Sequence, residues 1–295
     1  MTAGNPYYAM QDGLAVPSTA HTPQGWTTSG AWSLFLSGDR MYASKQAPFL
    51  ITETNAGAIG GAASNFPAFD GQWRQAAWAF VARGAEMIEY WHWHTNHFGT
   101  ETYWIGILPH DQQPGRVYRE LSRLGADFQR AGSRLVGLRP DARVGLLYSA
   151  RSKWGLAFQS AFAQPGKTFV SSPTDVDQRS YHRIFEAFYR GTFDAGVPAR
   201  IIHDNQVIGA DGTTSLEPAA VAEELPVLIV PGLLVADDAM LTWLRDYAAA
   251  GGHLVIGPRT AYGDEEGRPA SRSSRPISPV PPESTTRSSP TSAIH

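Results

Sequence analysis

The sequence predicts an α/β fold in which parallel strands are covered by helices. Three observations lead there. Short apolar runs of strand length alternate with longer stretches whose apolar residues recur at helical spacing. The order strand, loop, helix repeats, and repeated βα units imply parallel strands with helices on their faces. The 295 residues, 42% of them hydrophobic, allow one large domain or two ordinary ones with a substantial core.

The elements follow in order. Met1 to Gly30 is rich in Gly, Pro, Thr and Ala and shows little periodicity. Pro48 to Thr52 (PFLIT) reads as a short buried strand, and a Gly-rich loop follows from Thr54 to Phe66. Gly71 to Ala85 reads as a helix, with Trp73, Ala76, Ala77, Phe80 and Val81 on one stripe. Met87 to Trp93 is the next strand, and Thr95 to Asp111 a polar and aromatic loop. Gly115 to Gly132 is a second helix, with Val117, Leu121, Leu124 and Phe128 on its apolar face.

A second unit begins near Pro140. Val144 to Tyr148, Ala199 to Ile202, Pro226 to Pro231 and Leu254 to Ile256 are its strands. Ser180 to Ala195 and Asp237 to Ala250 are its helices, the latter ended by Gly251-Gly252. The order is that of a small doubly wound α/β domain. Ser149 to Asp177 reads as loop or short helix, and its Trp154 and Phe158 call for a packing partner. Residues 269 to 295 are dominated by Pro, Ser and Thr and are expected to be disordered. So abrupt a switch in composition points to a truncated or frameshifted reading frame, with a regulatory tail as the alternative.

Composition excludes several function classes. Lys plus Arg is 24 and Asp plus Glu 27, so the net charge is -3, and no nucleic-acid partner is expected. With no cysteine, thiolate nucleophiles, disulfides and cysteine-held metals are ruled out. No apolar run is long enough to span a membrane, so no membrane partner is expected. The first residues lack a basic region followed by an apolar stretch, and the expected location is cytoplasmic.

Glu53 is the first candidate site residue. It follows the apolar strand PFLIT, and carboxyl ends of parallel strands are where barrel active sites lie. A carboxylate there serves as nucleophile, general base, metal ligand or simple loop cap. The run Glu89-Tyr90-Trp91-His92-Trp93-His94 comes next, followed by His97 and Glu101-Thr102-Tyr103-Trp104. On a regular strand His92 and His94 face the same side. Alternating aromatic and His residues suit a sugar, whose C–H face stacks on rings while its rim needs directional hydrogen bonds. The other readings are a zinc site from His92, His94 and His97, at a spacing that matches no strong metal signature, and a packed aromatic strand. His110-Asp111 marks a loop beside the pocket or a turn whose Asp caps the next helix.

The stretches "QAPFLITETNAG" and "WRQAAWAFVARGAEMIEYWHWHTNHFGTETYWIGILPHDQQPGRVYRELSRLGADF" resemble the second half of the catalytic barrel of family 42 glycoside hydrolases, microbial β-galactosidases. The stretch from "ARVGLLYSARSKWGLAF" to "AAAGGHLVIGPRTAYGDEEGR" resembles that family's second domain. The resemblance implies the C-terminal part of a TIM (β/α)8 barrel over 1–137. A flavodoxin-like or glutamine-amidotransferase-like trimerisation domain follows over 138–268, truncated at its end, with 269–295 as a tail. It implies a retaining β-galactosidase with Glu53 as nucleophile. It also implies Glu101, Trp104, His92, His94 and Tyr7 as contacts to a galactoside or oligosaccharide. No metal and no cofactor are implied. Family members carry the acid/base glutamate in an upstream Asn-Glu motif, and no Asn-Glu pair occurs here. The expected chain is therefore an incomplete one, weakly self-associating in place of the homotrimer that the family implies. The alternatives are a non-catalytic carbohydrate-binding or oligomerisation protein, and a glycosidase for another β-glycoside such as an arabinoside.

Overall fold

The computed structural model describes residues 1–7, 31–59, 68, 70–164, 166 and 173–269. By internal contacts the chain forms two compact units. One is Met1–Tyr148 with His182–His203; the other is Ser149–Tyr181 with the residues from Asp204 onward.

The first unit contains a parallel three-stranded sheet in the order β1-β2-β3, with β1 at Thr2–Gly4, β2 at Phe49–Asn55 and β3 at Ala85–Trp91. Helix α1 spans Ala31–Ala43, α2 spans Gln72–Ala82 and α3 spans Arg116–Ala131. The core is built from Leu34 and Tyr42 of α1, Phe49 and Ile51 of β2, Ala76, Ala79 and Phe80 of α2, and Ala85 of β3. The stripe read from the sequence for α2 is the buried one, with Trp73, Ala76, Ala77, Phe80 and Val81 all inside. Gly84 lies at φ 97°, where a side chain is strained, and its carbonyl accepts the Phe49 amide at 3.2 Å. Among the α3 residues only Leu124 is fully buried; the remainder of its apolar face is half-covered.

Several boundaries differ from the sequence reading. Thr54 and Asn55 extend β2 past the expected end at Thr52, so Glu53 lies within the strand and not after it. Strand β3 starts at Ala85 and stops at Trp91, which leaves His92, Trp93 and His94 beyond it. Thr2–Gly4 forms a strand inside the run read as irregular, and α1 was not read at all. Tyr8 to Gly30 and residues 60–66 of the expected Gly-rich loop lie outside the described residues.

The first unit also holds strands β4 (Val144–Tyr148) and β5 (Ala199–His203), parallel and in continuous register from Val144↔Ala199 to Tyr148↔His203. Ile184, Phe185 and Tyr189 are buried along the helix at Ser180–Asp194. A buried ion pair joins Arg83 to Asp39, and the Tyr189 hydroxyl donates to the other Asp39 oxygen at 2.6 Å. The Arg83 guanidinium also donates to the Ala199 carbonyl at 3.0 Å.

In the second unit, α4 (Ala150–Phe158) starts at Ser149, whose hydroxyl caps it by accepting the Ser152 amide. The Ser180–Asp194 helix, which from His182 on belongs to the first unit, is α5; in the second unit short helices α6 (Asp204–Val207) and α7 (Pro218–Glu224) precede β6 (Val227–Val230). Helix α8 (Asp238–Ala249) is capped by the Asp237 carboxylate, which accepts the Met240 amide at 2.8 Å. Gly251 turns the chain at φ 97°, and β7 (His253–Ile256) pairs in parallel with β6 from Val227↔His253 to Val230↔Ile256. Trp243 and Tyr247 of α8 are buried, with their polar ends donating to the Leu216 and Leu225 carbonyls at 2.6 Å. Trp154 and Phe158 were expected to pack, yet they are 66% and 85% exposed. Pro269 forms an isolated bridge with Gly263; the rest of the predicted tail lies outside the described residues.

Candidate active site

The candidate site sits at the carboxyl ends of β1, β2 and β3. Strand β1 delivers Asn5 and Tyr7 immediately after Gly4, and β2 delivers Glu53 three positions past Leu50. Their neighbourhood is fixed by register, because Gly4 pairs with Ile51. The Asn5 amide donates to Glu53 Oε2 at 3.3 Å, and the Tyr7 hydroxyl donates to Glu53 Oε1 in a very short contact. Thr54 donates to the Pro6 carbonyl at 2.7 Å, which anchors the residue between the two donors. Each carboxylate oxygen of Glu53 therefore has its own donor.

Strand β2 is irregular here. Ile51 pairs with Ile88 and Thr54 with Tyr90, so an extra residue is inserted in β2 between them. A bulge of this kind bends a strand and re-aims its side chains.

Beyond β3 the chain runs out and folds back. The Ile107 amide donates to the His92 carbonyl at 2.7 Å and the Leu108 amide to the Trp93 carbonyl at 2.8 Å. The Ile105 amide donates to Ala58 at 3.0 Å, which ties the returning loop to the end of β2. Gly106 fits under the His92–His94 backbone; a Cβ there would lie 2.7 Å from the His92 carbonyl oxygen. Trp73 reaches in from α2 and donates its indole N–H to the Ala56 carbonyl at 2.6 Å.

The structure brings Tyr7 and Glu53 into direct contact, with Glu101 close enough to act on the same phenol. Burial pushes the Tyr7 hydroxyl well above its ordinary range, and the hydrogen bond to Glu53 and the charges of Glu53 and Glu101 push the same way. Tyr7 is thus a neutral donor throughout the neutral range. His92 stacks on Trp91, and its Nε2 lies 3.1 Å from the Trp104 carbonyl, so His92 and Trp104 are brought together through ring and backbone.

His94 is placed differently. It is exposed, and its backbone bridges to Leu108 in the returning loop. The expectation that His92 and His94 share one strand face fails, because the strand ends before both. His97 lies further out with Nε2 2.8 Å from the His110 carbonyl. Among the described residues no three His, Asp or Glu side chains cluster closely enough to hold a metal ion. Asp111 does not cap a helix: its carboxylate accepts the Gln113 amide at 3.0 Å in a local turn, and α3 begins without a side-chain cap. Among the described residues, no helix is long and apolar enough to cross a membrane.

Asn5 is not among the residues that the sequence points to for the site. Its role depends on the pairing of β1 with β2, between residues 48 apart in sequence, and no local signal marks it.

Parallel βα units with a doubly held carboxylate at the strand ends define an α/β protein of barrel type. Residues 14–131 match the family 42 glycoside hydrolase model, described as β-galactosidase. Residues 142–273 match the model described as β-galactosidase trimerisation domain. The chain belongs to glycoside hydrolase family 42. The β-galactosidase BgaH of Haloferax lucentense is 27% identical over 233 residues, which is 79% of this chain and 30% of that one. BgaB of a Geobacillus species is 24% identical over 225 residues, 76% of this chain and 29% of that one. The chain thus spans about 30% of the length of the curated relatives it matches. Among solved structures, Gan42B, a GH42 β-galactosidase from G. stearothermophilus, aligns with TM-score 0.72 and 20% identity over 93% of this chain and 35% of that one. The β-galactosidase of Halorubrum lacusprofundi aligns with TM-score 0.68 and 22% identity over 92% of this chain and 36% of that one. These likenesses show a shared fold.

Proposed function

We propose that the chain supplies the nucleophile side of a retaining β-galactosidase, with residues 1–137 as part of the barrel and 138–268 as the trimerisation domain. The observation that carries this reading is Glu53 at the strand ends with one donor on each oxygen. A nucleophilic carboxylate must be fixed in orientation, and donors from Asn5 and Tyr7 hold it. Glu53 would attack the anomeric carbon as the bond to the leaving oxygen breaks, giving a covalent glycosyl-enzyme that water then hydrolyses. His92, Trp104, Glu101, His94 and Tyr7 are the proposed sugar contacts, with the Trp91–His92 stack as one wall. A homotrimer is the assembly that the second domain's family implies.

The test uses an aryl 2-deoxy-2-fluoro-β-galactoside with a dinitrophenolate leaving group. Such a leaving group departs without protonation, so the covalent step needs the nucleophile alone. Peptide mass spectrometry should find one fluorogalactosyl group on Glu53, and Glu53→Gln should take up none. A label on another residue, or one retained in Glu53→Gln, removes Glu53 from the mechanism. Lactose is the companion substrate. Its alkoxide needs a general acid, worth about 10²–10⁴-fold, and the sequence carries no Asn-Glu pair to supply it. Lactose turnover is therefore expected to be negligible. Robust turnover would bring Glu101 or Glu89 forward as the proton donor.

A further inference from the structure

We propose that Thr52 is a positioning residue for Glu53, acting through the side-chain amide of Asn5, and that the bulge in β2 is what brings it there. The catalytic consequence rests on the reading of Glu53 as nucleophile; the positioning itself does not.

Neighbouring residues of a regular strand point to opposite faces. Thr52 and Glu53 are neighbours, yet both reach Asn5. The Thr52 hydroxyl donates to Asn5 Oδ1 at 2.7 Å, while Asn5 Nδ2 donates to Glu53 Oε2 at 3.3 Å. The extra residue between Ile51 and Thr54 allows this by breaking the alternation at that point.

The chemistry of the three groups then selects one arrangement. A carboxylate only accepts, so whatever faces Glu53 must donate. An asparagine amide has a donating end and an accepting end, and a half-turn exchanges them. With Nδ2 toward Glu53 the contact is attractive; with Oδ1 toward it, two oxygens with negative charge face each other. A hydroxyl anchored at Oδ1 holds the favourable orientation. The other acceptor near Thr52, the Gly4 carbonyl, lies 3.5 Å away, at the limit of a useful hydrogen bond. Asn5 and Tyr7 then grip opposite oxygens of the carboxylate, and its plane is set. Without Thr52 the amide is free to turn, and the Oε2 side loses its fixed donor.

The experiment compares the full chain with Thr52→Val, nearly the same shape without the hydroxyl, and with Thr52→Ser, which restores it. The first readout is NMR of the chain labelled with ¹⁵N-asparagine, following the Asn5 side-chain NH₂ signals assigned by their loss in Asn5→Ala. Thr52→Val should shift and broaden those signals, and Thr52→Ser should return them. The second readout is the rate of labelling at Glu53 by the fluorogalactoside. It should fall about tenfold in Thr52→Val, as expected for a misaligned reacting group, and return to within about twofold in Thr52→Ser. In the Asn5→Ala background Thr52→Val should cost nothing further, which a merely structural role would not produce. Asn5 signals unmoved by Thr52→Val overturn the proposal, as does a Thr52→Val effect that persists without Asn5. If the parent chain takes up no label, the nucleophile reading fails, and the NMR signals still decide the positioning role.

Discussion

At the residue scale, the buried Asp39–Arg83 pair makes the sharpest demands. Both side chains are nearly excluded from solvent, at 3% and 7% exposure. Burial pushes the Asp39 carboxyl up to about 6, against the downward pull of Arg83 and of the Tyr189 hydroxyl. It is mostly ionised at pH 7, and its loss would leave a guanidinium buried without its counter-charge. Asp39→Ala should therefore cost about 3–5 kcal/mol in denaturant unfolding at pH 7. The pH dependence has a defined sign. The folded group holds its proton more tightly than the unfolded one, whose ordinary value is 3.8. Its contribution is complete below about 3.8 and is lost as the pH rises through about 6. Unfolding free energy measured from pH 4 to 7 for the parent minus Asp39→Ala should fall across that window; a difference that rises there contradicts the assignment. Tyr7→Phe is a milder change. It removes one donor from Glu53 and should slow labelling by the fluorogalactoside at Glu53 roughly ten- to a hundredfold while leaving thermal unfolding nearly unchanged.

At the element scale, the returning loop after β3 depends on Gly106. A side chain there meets the His92 carbonyl oxygen and the His94 backbone. Gly106→Ala should destabilise the chain by about 1–3 kcal/mol, as overpacking does, and should displace His92 from the Trp104 carbonyl. Unfolding midpoints and the His92 ring signals in NMR check the two effects. The same elements show what was legible in the sequence and why. Helix α2 was read with its buried stripe intact, because a 3.6-residue period is a local property. Strand β4 was read to the residue for a related reason, a short apolar run. Strand β1 was missed because Thr-Ala-Gly carries no apolar pattern, and only pairing with β2 makes it a strand. Glu53 stands out as a candidate from its place beside an apolar run. The pairing of Glu53 with Asn5 does not, since it arises from strand register across 48 residues. The His92–His94 reading failed for the opposite reason: it extended a strand two residues past the point where the chain leaves the sheet.

At the scale of the whole molecule, exposed apolar side chains set the expected behaviour in solution. Trp154 and Phe158 stand four apart on α4 and are largely uncovered, and Val255 and Ile256 of β7 are 41% and 45% exposed. Large aromatic residues left in water are the commonest anchors of protein contacts. The chain is expected to associate in a concentration-dependent way. Sedimentation velocity over a hundredfold range of concentration checks this, and a sharp trimer boundary independent of concentration would contradict it. Trp154→Ala with Phe158→Ser should reduce the association.

The polar knot around Asp39 also bears on inheritance. Its carboxylate and guanidinium come from positions 39 and 83, while the phenol and the carbonyl that complete it come from 189 and 199. The partners are 150 and 116 positions apart along the gene. A recombination event between them would join one parent's charged pair to the other parent's cover. Hybrids of this chain with a relative as distant as BgaH, spliced near position 140, should survive only where both parents carry the same three side chains. The two halves of the knot must then travel together through divergence, as a single heritable unit drawn from two distant stretches of the chain but lying within one compact unit.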